Sequence, residues 1–376
     1  MLQKLSLILL VGLLPIRYLA HDPPGDRSNA DTDGPHVFYK GDKIIVRSIE
    51  RVDTTCKANA ELFFDKKAVT LTCRVPEIGD VFSFPLKKNL KVEKHQWNLP
   101  DKMLVISDVE GNFEAMKRML LMGGVINAEF KWVFGEGHVV MVGDFFDRGL
   151  NVTECLWLVY KLETEAEAAG GKVHFILGNH EVMNLSGYTE YVRKKYLENA
   201  RIMGLEYHNL FDAETELGRW LRTKNAIERI GPYVFCHGGI SPELAASNMN
   251  LSDINQVSRN YLGVPFENIT DADAQLVFHS RIGIFWFRGA VRRDLTQAQV
   301  DAILRYAGAE HMVVGHTLVT DITLLYEKRI VAIDQFHEEN VRNGKLTALF
   351  IDKGEMFVLD THNRKRPLAS GMLAKP

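Results

Sequence analysis

An α/β domain, preceded by a small β-rich unit and covered by a helical cap, is what this chain predicts. From Met103 onward, strand-length apolar runs alternate with helical patterns such as Glu114 to Leu121, Val152 to Ala169 and Glu190 to Met203. Five of the runs end at Gly, Ser or Cys followed by Asp, Asn or His: MLVISDVEGN, VVMVGDFFDRG, HFILGNHE, YVFCHGG and HMVVGHT. Apolar runs of that length suit strands buried on both faces, so the polar residues gather where strands become loops. Between Val37 and Val92 the pattern differs, with stretches such as KIIVRSIERV, AVTLTCRV and DVFSFPL divided by turn residues, the signature of a β-rich unit.

At the N-terminus, Lys4, the apolar run Leu5 to Leu14, Pro15 and the triplet Tyr18-Leu19-Ala20 have the layout of a secretory signal peptide. The run is too short for a comfortable membrane span. Tyr18 at the cleavage position and Arg17 beside the run make an uncleaved anchor the alternative. Residues 1–20 are therefore read as signal peptide or anchor, which places the protein outside the cytoplasm, periplasmic or held to the membrane through its N-terminus. Residues 21–36, rich in Pro, Gly, Asp, Ser and Asn, read as a linker. Residues 37–95 form the β-rich unit, 102–360 the main domain and 361–376 a C-terminal tail. Gly344 to Ile351 and Glu355 to Leu359, separated by Asp-Lys-Gly, read as a closing β-hairpin. The long intervals after Glu181 and after Gly239 carry helical patterns, aromatic residues and cations, as expected of a cap over the strand ends.

With 376 residues, 46% hydrophobic and 25% charged, the chain is that of a soluble globular protein with one large domain and a smaller one. A net charge of −3 gives no general reason to bind nucleic acid, and none is expected as a partner. The cysteines Cys56, Cys73, Cys155 and Cys236 lack metal-finger spacing. Cys155 and Cys236 read as buried small hydrophobes, and a Cys56–Cys73 pairing stays open.

The polar residues at the strand ends have the chemistry of a pair of divalent ions. Phosphate monoesters hydrolyse extremely slowly unaided, and two metal ions about 3.5 to 4 Å apart can clamp phosphate oxygens and hold a bridging hydroxide. Asp144 is the natural bridging carboxylate, with Asp108 on one metal, and Asn179, His237 and His316 on the other. His180 is left free to protonate the leaving alkoxide, with Asp147 orienting its imidazole. Arg148 offers a planar fork to phosphate oxygens. His138, His174 and His311 fall at strand starts, on the side away from the ligands.

These segments resemble the motifs of the calcineurin-like metallophosphoesterases and, within them, the phosphoprotein-phosphatase superfamily. The family's motifs run Gly-Asp-x-His-Gly, Gly-Asp-x-x-Asp-Arg-Gly, Gly-Asn-His-Glu, His-Gly-Gly and Gly-His-Thr. This chain has Ser-Asp-Val-Glu-Gly at 107 to 111, Gly-Asp-Phe-Phe-Asp-Arg-Gly at 143 to 149, Gly-Asn-His-Glu at 178 to 181, His-Gly-Gly at 237 to 239 and Gly-His-Thr at 315 to 317. The run Gly-Asn-His-Glu-Val-Met-Asn-Leu looks most like the bacterial, Shewanella-like branch. The resemblance implies a β-sandwich flanked by helices, an αββα architecture. It also implies that Arg288, in Phe287-Arg288-Gly289, is a second phosphate clamp, with Arg281, Arg292 and Arg293 as nearby competitors. The departure is Glu110, which stands where the family has a metal-ligating His. As an oxygen ligand it favours Mn2+ or Mg2+ over softer ions, with Fe and Zn2+ the alternatives.

The resemblance implies a dinuclear metal-dependent phosphomonoesterase that attacks through a metal-bridging hydroxide. His180, Asp147, Arg148 and Arg288 would be its catalytic residues, and Asp108, Glu110, Asp144, Asn179, His237 and His316 its metal ligands. The phosphate would be held by Arg148, Asn179, His180 and Arg288. Phosphoproteins are the implied substrates, phosphotyrosine alongside phosphoserine and phosphothreonine, with small phosphomonoesters beside them. Two rival readings are hydrolysis of nucleotides or dinucleoside polyphosphates, and a catalytically impaired phosphate-binding protein. Gly238-Gly239 argues against the first, since that branch has Ala there. Intact His180, Asp147 and Arg148 argue against the second.

Overall fold

The computed structural model describes residues 30–368. The signal-peptide or anchor reading of residues 1–20 lies outside them. The N-terminal unit contains β1 (Asp33–Lys40), β2 (Lys43–Val52) and β3 (Thr55–Phe63) in an antiparallel sheet, followed by the hairpin of β4 (Thr70–Val75) and β5 (Asp80–Pro85). β1 begins inside the segment read as linker. Buried Asp33 and His36 bond to each other there, and the Pro35 carbonyl accepts the Trp157 indole N–H at 2.7 Å. Turn-forming residues mislead at this point because tertiary contacts order them.

The hairpin alternates as a half-buried sheet should. Leu71, Cys73, Val75, Phe82 and Phe84 face inward, where the Phe82 ring stacks on Phe113 at 6.0 Å and Phe84 meets Trp157 at 5.4 Å. All cysteines in the chain are free thiols, so Cys56 in β3 and Cys73 in β4 are not bridged. Behind the hairpin, Glu163, buried in the helix Val152–Ala168, accepts from Lys224 at 2.6 Å and from the Trp220 indole at 2.8 Å, and also pairs with Lys87. Such a satisfied buried charge fixes how the segment after β5 lies on the main domain.

Two six-stranded sheets form that domain. One is ordered β17-β16-β15-β7-β8-β9, from β7 (Lys102–Ile106), β8 (His138–Val142), β9 (Lys172–Ile176), β15 (Thr347–Asp352), β16 (Glu355–Asp360) and β17 (Lys365–Pro367). β17 falls in the segment read as a tail, where it pairs with the outer edge of β16. The other is ordered β13-β14-β12-β11-β10-β6, from β6 (Gln96–Trp97), β10 (Ile227–Ile230), β11 (Tyr233–Cys236), β12 (His311–Val314), β13 (Thr323–Leu325) and β14 (Ile330–Ala332). Met103, Val105, Val140, Val142, Phe235, Val313 and Val331 pack between the sheets. Leu104, Ile106, Val139, Met141, Val173 and Phe175 face the other way, toward the helices. Because both faces of each central strand are buried, the strands read as unbroken apolar runs. The αββα sandwich is as expected.

Helices Phe113–Met122 and Val152–Ala168 coincide with the periodic patterns. The third pattern, from Glu190, becomes helical only at Lys194, and Arg193 is extended. Residues 179–221 and 242–307 supply the short cap helices.

Glu154 lies fully buried in the helix Val152–Ala168, and neither carboxyl oxygen has a side-chain hydrogen-bond partner among the described residues. Burial, partly offset by Lys195, pushes its carboxyl up to about 8 from an ordinary 4.5. Below the ordinary value both folded and unfolded chains hold the proton. Between the two values only the unfolded chain releases it, so stability falls as pH rises through that window. Glu154→Gln is therefore expected to raise Tm by about 3 °C or more at pH 8 and by much less at pH 5. Equal shifts at both pH values in calorimetry would refute this.

Candidate metal centre

Both sheets deliver ligands to one end of the sandwich. β7 leads into Asp108, β8 into Asp144 and β9 into Asn179 and His180, while β11 leads into His237 and β12 into His316. The backbone turns sharply to aim them. Asp108, Glu110, Asp144, Asp147, Arg148 and His316 all have positive φ, between 47° and 73°, a conformation that strains non-glycine residues and recurs at functional sites. Glycine is required where segments cross. A Cβ on Gly178 would lie 2.2 Å from Asp144 Oδ1, and one on Gly315 would lie 2.1 Å from Ser107 Oγ.

Two groups of ligand atoms, each lying within 4.8 Å of one another, share Asp144: Asp144, His237 and His316, and Glu110, Asp144 and His180. His237 donates Nδ1–H to the Val142 carbonyl at 2.8 Å, so in the neutral ring the Nε2 lone pair faces inward. Nε2 lies 2.9 Å from Asp144 Oδ2 and 3.0 Å from Asn179 Oδ1. With oxygens of Asp144 and Asn179 converging on Nε2 in a buried space, positive charge is called for there, supplied by a proton on the ring or by a metal ion that replaces it. Titration behaviour agrees. Burial opposes protonation of His237, but Asp144 and Asp108 outweigh it and push the imidazole up to about 10. Burial and the neighbouring Asp334 push the Asp108 carboxyl well above its usual range. His316 goes the other way: burial, His237 and Arg288 hold it well below its ordinary value, as a neutral ligand requires. The donor set, N and O with a shared carboxylate, fits a pair of divalent ions.

Asp108 stands beside these groups, its carboxylate taken up by the His316 N–H at 3.2 Å and by Ser107 Oγ. Glu110 adds an unexpected contact, an ion pair between its Oε1 and Arg148. His180 lies with Nε2 3.8 Å from Asp144 Oδ2, and its Nδ1 is bonded to Asp147 Oδ2. Asn184 donates to that same Asp147 oxygen at 2.9 Å. Burial opposes charge on His180, yet Asp144 and Asp147 outweigh it and raise its pKa. Arg288 donates to the His316 carbonyl and lies 3.4 Å from Thr317 Oγ1, whereas Arg281, Arg292 and Arg293 are exposed.

Three residues at the site were not among the sequence-derived candidates. Glu181 is buried and accepts the backbone N–H groups of Asp144, Phe145 and Gly178. Tyr191 packs beside Arg148 and His180. Asp334 follows β14 and is buried, and burial, only partly offset by His237, pushes its carboxyl up to about 7. Its signal was present: Ile330-Val331-Ala332-Ile333-Asp334 is one more apolar run into an acid. His138 and His174 sit at strand starts away from the ligands, bonded to each other at 2.9 Å.

Fold and site together define a dinuclear metal-dependent hydrolase. Residues 102–320 match the model of the calcineurin-like phosphoesterases, and the chain belongs to that family. The crystal structure of a cold-active protein-tyrosine phosphatase from a psychrophilic Shewanella species superposes with a TM-score of 0.80 at 30% identity, over 90% of this chain and 100% of that one. Shewanella-like protein phosphatase 1 of Plasmodium berghei is 28% identical over 240 residues, 60% of this chain and 63% of that protein. Shewanella-like protein phosphatase 2 of Arabidopsis thaliana is 40% identical over 103 residues, 27% of this chain and 26% of that protein. The matches thus span less than two thirds of these curated relatives.

Proposed function

We propose that the protein is an extracytoplasmic phosphoprotein phosphatase that accepts phosphotyrosine. The observation that carries this is the pair of ligand groups joined at Asp144, the second of which includes His180 with its Nδ1 bonded to Asp147, and the flanking Arg148 and Arg288. Asp108, Glu110, Asp144, Asn179, His237 and His316 would hold two divalent ions, which would supply Lewis-acid polarisation of the phosphoryl group and a lowered pKa for the attacking water. Arg148 and Arg288 neutralise and orient the phosphate oxygens. His180, its Nδ1–H engaged by Asp147, protonates the leaving oxygen from Nε2. The Trp286 carbonyl lies 3.2 Å from His316 Nε2, and the Trp286 ring meets Phe266 at 5.5 Å, which stacks on Tyr188 at 4.6 Å; this aromatic cluster, reached through Trp286, supports an aryl ester as substrate. The similarity to a structure described as a protein-tyrosine phosphatase supports the same reading.

The test is to strip the full-length protein with chelator and restore single metals. Phosphotyrosine peptide, phosphoserine peptide and nucleotides are then assayed. Turnover of the phosphotyrosine peptide, greatest with Mn2+, is expected. Preference for nucleotides would favour the rival hydrolase, and no turnover of any phosphomonoester would favour a binding protein. Export rests on Lys4 and the run Leu5 to Leu14, and recovery of the full-length protein in the cytosolic fraction of its host would contradict it.

We also propose that Glu110 ligates metal, since Oε1 meets Arg148 while a second oxygen remains. Metal analysis is expected to find two ions per wild-type chain and about one in Glu110→Ala. Two in both would overturn it.

A further inference from the structure

The stretch Tyr191 to Tyr196 runs beside the turn that carries Arg148, joined to it bond after bond. The Tyr191 carbonyl accepts the Arg148 N–H at 3.2 Å, and Arg193 Nε donates to the Arg148 carbonyl at 2.6 Å. Lys195 Nζ donates to the Leu150 carbonyl at 2.8 Å, and Val152 N–H to the Tyr196 hydroxyl at 2.8 Å. The first two of these bonds engage the turn at Tyr191 and the extended Arg193, ahead of the helix that begins at Lys194. They also bring the Tyr191 ring against two functional side chains. The Arg148 guanidinium carbon lies 5.3 Å from the ring centre, and the His180 imidazole meets the ring edge-on at 5.2 Å.

We propose that Tyr191 is a positioning residue for the phosphate clamp, a role that rests on the phosphomonoesterase reading. Arg148 is long, 47% exposed and rooted in a strained backbone, so its head group must be restrained to bind phosphate in one geometry. It has two restraints of different kinds. Glu110 Oε1 pairs with one of its nitrogens, Nη1, and offsets its charge, so a phosphate oxygen must displace that carboxylate to use that nitrogen. An aromatic ring holds a guanidinium through the attraction of its face for the positive charge and forms no ion pair with the N–H donors. Tyr191 can therefore go on holding Arg148 after Glu110 has been displaced. The ring, not the hydroxyl, carries this role, and the hydroxyl makes no hydrogen bond among the described residues.

The test uses the full metal-loaded protein, with inorganic phosphate as inhibitor and an aryl phosphate as substrate. Tyr191→Leu is expected to raise both the inhibition constant of phosphate and KM by about fivefold to tenfold, the range of a partly desolvated cation–π contact. It should lower kcat no more than about threefold, with metal content unchanged. Tyr191→Phe should stay within about twofold of the parent. In an Arg148→Ala background, Tyr191→Leu should add nothing, because its effect acts through Arg148. Tyr191→Met serves the same purpose if the Leu variant does not fold. An unchanged phosphate constant, a Phe variant as impaired as Leu, or an equal effect without Arg148 would each overturn the proposal. A parent that neither turns over nor is inhibited by phosphate overturns the phosphomonoesterase reading instead, and this inference with it.

Discussion

His180→Asn is expected to cut turnover by about 10² to 10⁴, the usual worth of a positioned general acid, while leaving metal content near the parent value. The imidazole is buried, and its Nδ1 side is committed to Asp147, which Asn184 holds at 2.9 Å. Only Nε2 is left to give a proton toward the site. Asn keeps a short polar side chain but has no group that can surrender a proton at neutral pH. The loss should depend on the leaving group. A nitrophenolate departs without help, so its ester should lose least, whereas phenyl phosphate and phosphoserine peptide should lose most. Equal losses across that series would mean that His180 holds the site together rather than protonating the product. Loss of metal from the variant would likewise reassign it, since Nε2 lies 3.8 Å from Asp144 Oδ2.

The metal centre was legible because its ligands follow buried strands, and a buried parallel strand leaves an unbroken apolar run that points at them. Asp144 and His237 could be read in this way, and so in hindsight could Asp334. Partners that meet through the fold leave no such trace. Nothing local links Glu110 to Arg148, or places Tyr191 across from a turn far earlier in the chain. The helical period around Glu190 instead suggested a helix, where Glu190 and Tyr191 form a turn and Arg193 is extended. The same limit applies to Asp33 to His36, whose Pro- and Gly-rich surroundings look like a linker until Trp157 and Asn199 are brought against them. Local chemistry therefore marks the ligands, while the residues that hold them in place depend on the folded chain.

Glu181 is the extreme case of a supporting residue, and Glu181→Ala should be the most destabilising single change at the site. Its carboxylate accepts from Asp144 N–H at 2.9 Å, Phe145 at 2.6 Å, Phe146 at 3.3 Å and Gly178 at 2.6 Å. These bonds tie the loop after β8 to the start of the helix Asn179–Leu185. They fix the distance from the bridging Asp144 to Asn179 and His180. The residue is fully buried, so Ala would leave backbone donors without acceptors and open a void that has no direct access to bulk solvent. A stranded buried donor costs about 1 to 3 kcal/mol, and several stranded together should cost about 4 kcal/mol or more. The expected result is a large drop in Tm together with loss of both metal ions, because Asp144 would no longer be held in its left-handed turn. Glu181→Gln should fall between, since one amide oxygen can still accept while the amide nitrogen confronts N–H donors. A Tm within about 2 °C of the parent with full metal occupancy in Glu181→Ala would show that the loop is set by its own backbone, and that the Glu of Asn-His-Glu is incidental to the centre.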